Sequence, residues 1–196
     1  MEGAFESSAA PAALRGGELV YLRLPVAADC DEYLGLRRAS AEFHAPWEPL
    51  PPQGVDIHSS ESFERYVRDV DTDQRLRTFI CRRDDHRIVG AMNWNEIVRG
   101  PLQSAYLGYW IGAPFARLGY MHEGLRLALR HSFESLALHR VEANVRPENA
   151  ASVALVRGAD FRLEGFSPRY LKIAGEWRDH ERWAMLGDDW RALQNA

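Results

Sequence analysis

The 196-residue chain predicts one mixed α/β (α+β) domain, a central and mostly antiparallel sheet of about seven strands flanked by about four helices. Three observations carry that prediction. Runs of alternating apolar residues recur from one end of the chain to the other. Several of them follow one another across short polar turns, as antiparallel neighbours do. One long helix-period run, Tyr120 to Leu136, separates two others as a crossover.

The opening residues MEGAFESSAAPAALRGG are mostly small, so residues 1–17 read as a tail, 18–190 as the domain and 191–196 as a C-terminal tail. Glu18 to Leu24 alternates as a strand, and Asp29 to Arg38 has helical spacing with Asp29 or Asp31 able to cap it. His44-Ala-Pro-Trp-Glu-Pro-Leu-Pro-Pro52 carries too many prolines for a helix interior and reads as an ordered turn or a loop with aromatic anchors. Ser59 to Val70 is a helix behind a serine cap. Arg77 to Arg82 and Arg87 to Trp94 flank a polar hairpin turn, and Ser104 to Ile111 follows as a third strand. Gly108 inside that strand marks a bulge or a close approach.

In the crossover helix Gly124 costs about 1 kcal/mol relative to alanine, a cost most easily offset where the helix lies close to a strand. His139 to Val145 is the next strand, and Asn149 to Val156 a short helix capped by Asn149. Strand-like segments at Phe161 to Phe166, Arg169 to Ile173 and Gly175 to Leu186 close the chain.

Bulk composition excludes several classes. A formal net charge of -4 with no basic stripe argues against nucleic acid. Cys30 and Cys81 are far apart and form neither a disulfide framework nor a thiolate site, and none of the seven histidines pairs at ligand spacing, so no metal is expected. The sequence has no membrane-length apolar run and no signal-peptide pattern, which makes the cytoplasm the expected location and a membrane an unexpected partner.

The junction Phe115-Ala-Arg-Leu-Gly-Tyr-Met-His-Glu-Gly124 ends a strand and opens a helix, the place where free N–H groups and the helix dipole can meet an anion. The stretch Ile111-Gly-Ala-Pro-Phe-Ala-Arg-Leu-Gly119-Tyr-Met121 resembles the acetyl-CoA motif of the GNAT N-acetyltransferases, a strand followed by a Q/R-x-x-G-x-G/A loop. Ala91 to Gly100, Tyr106-Leu-Gly-Tyr109, His139-Arg-Val-Glu-Ala-Asn144, Asn149-x-x-Ser152, Glu164-Gly165, Gly175-Glu-Trp-Arg-Asp-His180 and Pro46-Trp-Glu-Pro49 are similar to the RimJ/RimL protein N-terminal acetyltransferases, closest to the RimJ branch. The resemblance runs from about Glu18 to Leu186. The chain departs from it at Ala116, where Gln or Arg is usual, at Met121, where Gly or Ala is commonest, at Arg117 and Leu118, and at Gly158-Ala-Asp160-Phe161.

That resemblance implies a GNAT fold, acetyl-CoA as co-substrate, no metal, and direct attack of a neutral amine on the acetyl thioester through a tetrahedral intermediate. It implies cofactor contacts from Tyr109, Trp110, Ile111, Arg117, Leu118, Gly119, Tyr120, Met121, Asn149 and Ser152, mostly through backbone N–H groups at the loop. A backbone N–H near Tyr109 and Trp110 would hold the carbonyl oxygen. Ser152 would donate a proton to the sulfur, or else simply bond backbone at its helix start. Tyr106, where some RimL-like members have Glu, would relay a proton or position the acceptor. Trp47, Glu48, Asn93 and Asp179 would meet the acceptor, with Glu48 pairing an ammonium and Glu48 or Asp179 deprotonating it through water. His180 and Trp177, in a strand-like repeat of large residues, read as structural, with an Asp179-His180 catalytic dyad as the alternative. The expected acceptor is the N-terminal α-amine of a protein or peptide, ribosomal proteins included. A small amine such as an antibiotic or polyamine, and a non-catalytic acyl-CoA-binding module, stay open, as does a monomer or a homodimer.

Overall fold

A computed structural model describes residues 12–195. Nine strands among them form one sheet: β1 (Ala13–Gly16), β2 (Val20–Arg23), β3 (Asp71–Thr72), β4 (Arg75–Arg82), β5 (Ile88–Val98), β6 (Ser104–Ile111), β7 (Arg140–Val145), β8 (Arg162–Ile173) and β9 (Glu176–Leu186). Their order is β1-β2-β4-β5-β6-β7-β9-β8, with β3 paired to β4. Every neighbouring pair is antiparallel except β6 with β7, which the crossover joins in parallel. The helices are α1 (Cys30–Ala39), α2 (Ala41–His44), α3 (Ser60–Arg68), α4 (Tyr120–Arg130), α5 (Ala150–Gly158) and α6 (Gly187–Gln194).

Alternation along the strands sorts the side chains onto two faces. Phe79 faces α1 and α3, where it stacks with Tyr33 and Tyr66. Its neighbour Ile80 faces α4, where a Cβ at Gly124 would lie 2.8 Å from Ile80 Cδ1. The helix therefore does lie close to a strand, and the glycine permits it. Trp94 on the same face is fully buried and donates from Nε1 to Ser132 Oγ at 2.7 Å. Ser132 belongs to a π-helical turn, His131–Ser135, that ends the predicted long helix. Gly90 is required for a different reason, since a Cβ there would meet the Trp110 carbonyl at 2.3 Å.

Both domain boundaries need correction. β1 pairs with β2, so the domain begins before residue 18, and residues 1–11 of the expected tail lie outside the described residues. This hairpin is held by Glu123 of α4, whose carboxylate accepts the N–H groups of Glu18, Leu19 and Val20 at 2.5, 2.8 and 2.9 Å. At the other end α6 takes up most of the expected C-terminal tail and packs Trp190 on Phe133. Gly108 is not a bulge. It pairs in register with Asn93, and the irregularity falls between Asn95 and Val98, where Glu96 has φ +48°. The two segments expected after Phe161 are one strand, β8, interrupted by irregular pairing between Ser167 and Leu171.

Candidate active site

β6 and β7 pair only through Ser104, Ala105 and Tyr106 opposite Arg140, Val141 and Glu142. Beyond Tyr106 the strands part, and β6 from Leu107 to Ile111 has no ladder partner on that side. The sheet is thus open at its middle, and backbone groups of β6 line the opening.

On the α4 face, the loop after β6 brings Arg117 to φ +64° and Gly119 to φ +85°. Left-handed residues alternating with ordinary ones turn successive N–H groups toward one concavity, a nest suited to an anion. No side chain caps α4, so its first N–H groups converge on the same place. The loop therefore fits a pyrophosphate through backbone, and Ala116 needs no side chain to contribute. Arg117 is exposed beside it.

Further along the opening, Tyr109 reaches across to α5, where its hydroxyl and Ser152 Oγ lie 2.6 Å apart. Burial pushes the Tyr109 phenol up to about 12, against a smaller lowering by Ser152, so it is a neutral donor at physiological pH. Asn149 caps α5, its Oδ1 accepting the Ser152 N–H at 3.1 Å. Ser152 is therefore fixed at both ends: its amide by Asn149 and its hydroxyl by a tyrosine rather than by backbone.

The opposite face carries side chains. Trp110 packs edge-on against His44 and lies under the Arg37 guanidinium, 5.0 Å from carbon to ring centre. Arg37 donates twice to Glu48, at 2.8 and 2.7 Å, and also meets His44 Nδ1 at 3.0 Å. Arginine only donates, so Nδ1 accepts and His44 Nε2 carries the hydrogen that goes to the Ile111 carbonyl at 2.7 Å. Burial lowers the His44 pKa, with the Arg37 charge adding to it and outweighing the Ile111 carbonyl and Glu48. Burial alone would raise the Glu48 pKa, but the Arg37 hydrogen bonds and charge leave it below its ordinary value.

The Arg37 contacts correct both roles expected of Glu48. Glu48 is neither a free anion for an ammonium nor a good base, because Arg37 already holds both of its oxygens. The Ile111 carbonyl is likewise taken, by His44. The proline-rich loop is ordered, as expected: Arg146 donates to the Pro46 carbonyl at 2.7 Å and lies 5.2 Å over the Trp47 ring, and the Glu48 carbonyl accepts the Ala174 N–H at 2.9 Å. It forms a strap joining α1 to the chain after β7 and to the β8–β9 turn.

Asp179 and His180 are not a dyad. As strand neighbours they face opposite sides of β9; Asp179 accepts the Arg169 N–H at 2.7 Å, and His180 Nδ1 lies 3.0 Å from the Arg178 carbonyl. Asp179 thereby stands away from the acceptor side as well. Tyr106 does lie on that side. Burial first, then Tyr170 and the charges of Glu142 and Glu96, push its phenol up to about 12, which makes it a neutral donor and no base. Asn93, opposite Gly108, accepts from the Tyr66 hydroxyl at 3.1 Å.

Arg37, His44, Tyr66 and Tyr170 are not among the site residues the sequence suggests. Their signal is long-range: Arg37, Tyr66 and Tyr170 lie in no recognisable motif, and His44, which opens the proline-rich stretch, carries no local sign of its partners. Among the described residues no group of three or more His, Cys, Asp or Glu could hold a metal ion, and no helix is long and apolar enough to cross a membrane.

Residues 20–162 match the profile of the acetyltransferase (GNAT) domain. The chain is 30% identical over 177 residues to Probable N-acetyltransferase YjcK of Bacillus subtilis, covering 88% of this chain and 97% of that protein. It is 38% identical over 107 residues to [ribosomal protein uS5]-alanine N-acetyltransferase of Escherichia coli, a match that spans 55% of each. Among solved structures, Mycobacterium smegmatis RimJ in complex with CoA-disulfide superposes with a TM-score of 0.81 at 32% identity, over 87% of this chain and 83% of that one.

Proposed function

Because the chain belongs to the GNAT acetyltransferase family, whose acyl donor is acetyl-CoA, we propose that it acetylates the N-terminal α-amine of a protein or peptide in the cytoplasm. The observation that carries the choice of acceptor is the likeness to RimJ, at 32% identity over most of both chains. Acetyl-CoA supplies an acetyl thioester, and residues on both sides of the opening receive it.

The nest at Arg117 and Gly119, with the start of α4 through Tyr120 and Met121, suits the donor's pyrophosphate, and the unpaired edge of β6 suits its pantetheine arm. A β6 N–H near Tyr109 and Trp110 would hold the carbonyl oxygen as negative charge grows there. Ser152 would give its proton to the sulfur and draw on the Tyr109 hydroxyl behind it, a two-step relay supported by the 2.6 Å contact. Trp47 and Asn93 would position the acceptor, and Tyr106 would act as a neutral hydrogen-bond donor. With Glu48 occupied and Asp179 turned away, the amine arrives neutral or loses its proton to water.

The reading is tested with the intact protein, acetyl-CoA, and a panel of unblocked peptides, Nα-blocked peptides and small amines, following free thiol and locating the acetyl group by mass spectrometry. Acetylation confined to the α-amine of unblocked peptides is the expected result; turnover confined to small amines would overturn it. Ser152→Ala is expected to lower turnover roughly 100-fold or more with little change in acetyl-CoA affinity, and an unchanged rate would remove Ser152 from the relay.

A further inference from the structure

Resting on the peptide-acceptor reading above, we propose that the acceptor face selects peptides with acidic side chains within about the first four residues after the reacting amine. Strand register supplies the map. Arg77 pairs with Asn93, which pairs with Gly108, and across the opening Asn144 pairs with Arg182. Since Tyr106 aligns with Glu142, Gly108 and Asn144 stand at the same level on the two sides. One row therefore runs Arg77, Asn93, Gly108, opening, Asn144, Arg182, all on one face of the sheet. The next row begins with Arg75, Asn95 and Tyr106.

The guanidiniums in these rows carry no ion-pair partner: among the described residues no carboxylate lies within ion-pair distance of Arg75, Arg77 or Arg182, although the chain as a whole is net negative. Arg77 spans the Tyr66 ring, 4.4 Å from guanidinium carbon to ring centre, and donates to the Tyr66 carbonyl at 2.7 Å, which holds it in place without neutralising it. Burial lowers its pKa and the Arg75 cation adds to that, while Tyr66, Asp69 and Tyr33 oppose it. The buried Arg75 Nε has no hydrogen-bond partner. By contrast the carboxylates of this face are spoken for: Glu48 by Arg37 and Glu142 by Arg140, with Glu96 left exposed at the β5 irregularity.

The strap crosses the Trp110 end of the face, and the Arg77 and Arg75 rows lie away from it along the sheet. Strands are spaced about 4.8 Å apart and an extended peptide rises about 3.3 Å per residue, so the early residues of an acceptor with its amine at β6 come level with Arg77. Carboxylates there would meet planar donors; a polyamine would meet like charge.

The intact protein is assayed with acetyl-CoA at low ionic strength against three peptides that share an N-terminal Ala: acidic (Ala-Asp-Glu-Glu), neutral (Ala-Ser-Gln-Gln) and basic (Ala-Lys-Lys-Arg), with spermidine alongside. The acidic peptide is expected to show a kcat/KM roughly tenfold above the neutral one, a margin that narrows as salt rises. Arg77→Glu should bring the acidic-to-neutral ratio to one or below, Arg77→Lys should keep most of it, and Arg182→Gln, at an exposed position, should lower it partway. Equal use of acidic and neutral peptides, preference for the basic one, or a ratio that neither Arg77→Glu nor Arg182→Gln moves would overturn this selectivity while leaving peptide acetylation standing. Turnover of spermidine alone would overturn both.

Discussion

The two sides of the β6–β7 opening are built from different materials. On the α4 face the anion site consists of backbone, namely two left-handed residues, an uncapped helix start and an unpaired strand edge, and the Tyr109–Ser152 pair is its one side-chain addition. On the α1 face it consists of side chains, Arg37, His44, Glu48 and Trp110, closed into one hydrogen-bonded and stacked set. Backbone sites tolerate changes of side chain, so Ala116 and Met121 can depart from the family pattern. A closed side-chain set does not, because removing one member strands the others.

The largest expected effect tests that contrast at Arg37. Arg37→Leu leaves the half-buried Glu48 carboxylate without its two donors and His44 Nδ1 without one, at a cost of about 2 kcal/mol once partial exposure is allowed for. Thermal unfolding should fall by roughly 4–8 °C for a chain of this size, and acceptor KM should rise. Acetyl-CoA affinity by calorimetry should stay within about twofold. An equal loss of donor affinity would show that the two sides are not separate.

The converse change is Gly119→Val. At φ +85° a β-branched residue pays about 1–2 kcal/mol, and because its Cβ would meet only Leu19 Cδ1, at 3.7 Å, the effect on the nest comes through the backbone turn that forms it. Acetyl-CoA should bind roughly tenfold more weakly, whereas Ala116→Gln, which adds the side chain usual in the family, should change affinity less. If Ala116→Gln had the larger effect, the loop would be a side-chain clamp and the contrast would fail.

The same distinction governs what can be read from the sequence. Left-handed turns and close approaches demand glycine, so Gly119 and Gly124 announce the loop and the packed helix. Caps demand Ser or Asn, so Ser59 and Asn149 announce α3 and α5, and each does accept the N–H expected of it. The splay of β6 from β7 has no residue of its own, and Gly108 suggests in its place a bulge that the strand does not have. Two alternating strands look alike whether or not they are paired. Likewise, nothing in Pro46-Trp-Glu-Pro49 tells that Glu48 is already taken, because its partner Arg37 lies a helix away and an arginine at the end of a helix looks like any solvated one. Domain ends are hidden for a similar reason: β1 is short, and what fixes its hairpin is Glu123, far along the chain.

The smallest expected effect, and the finest test of the closed set, lies in pH. His44 must be neutral, since Arg37 faces Nδ1 and cannot accept a hydrogen. The charges acting on it are Arg37, which opposes protonation, and Glu48, which favours it; the Trp110 and Phe43 rings and the Ile111 carbonyl complete its surroundings. With the folded pKa below the ordinary 6.5, the unfolded chain takes up the proton first as pH falls. The stability His44 contributes is therefore complete above 6.5 and declines as pH drops through and below that value. Glu48 behaves separately: its depressed pKa keeps it charged until the pH falls below the ordinary 4.5, so it adds no slope in this window. His131 and His180, also lowered by burial, add slope of the same sign but do not touch Arg37. The cost of His44→Leu, measured by urea unfolding, should consequently be greater at pH 7.5 than at pH 5.5, with the His131 and His180 contributions cancelling between wild type and variant. A cost that is the same at both values, or larger at the lower one, would mean that His44 is held by packing against Trp110 and that the bond to the Ile111 carbonyl contributes nothing to joining the two sides.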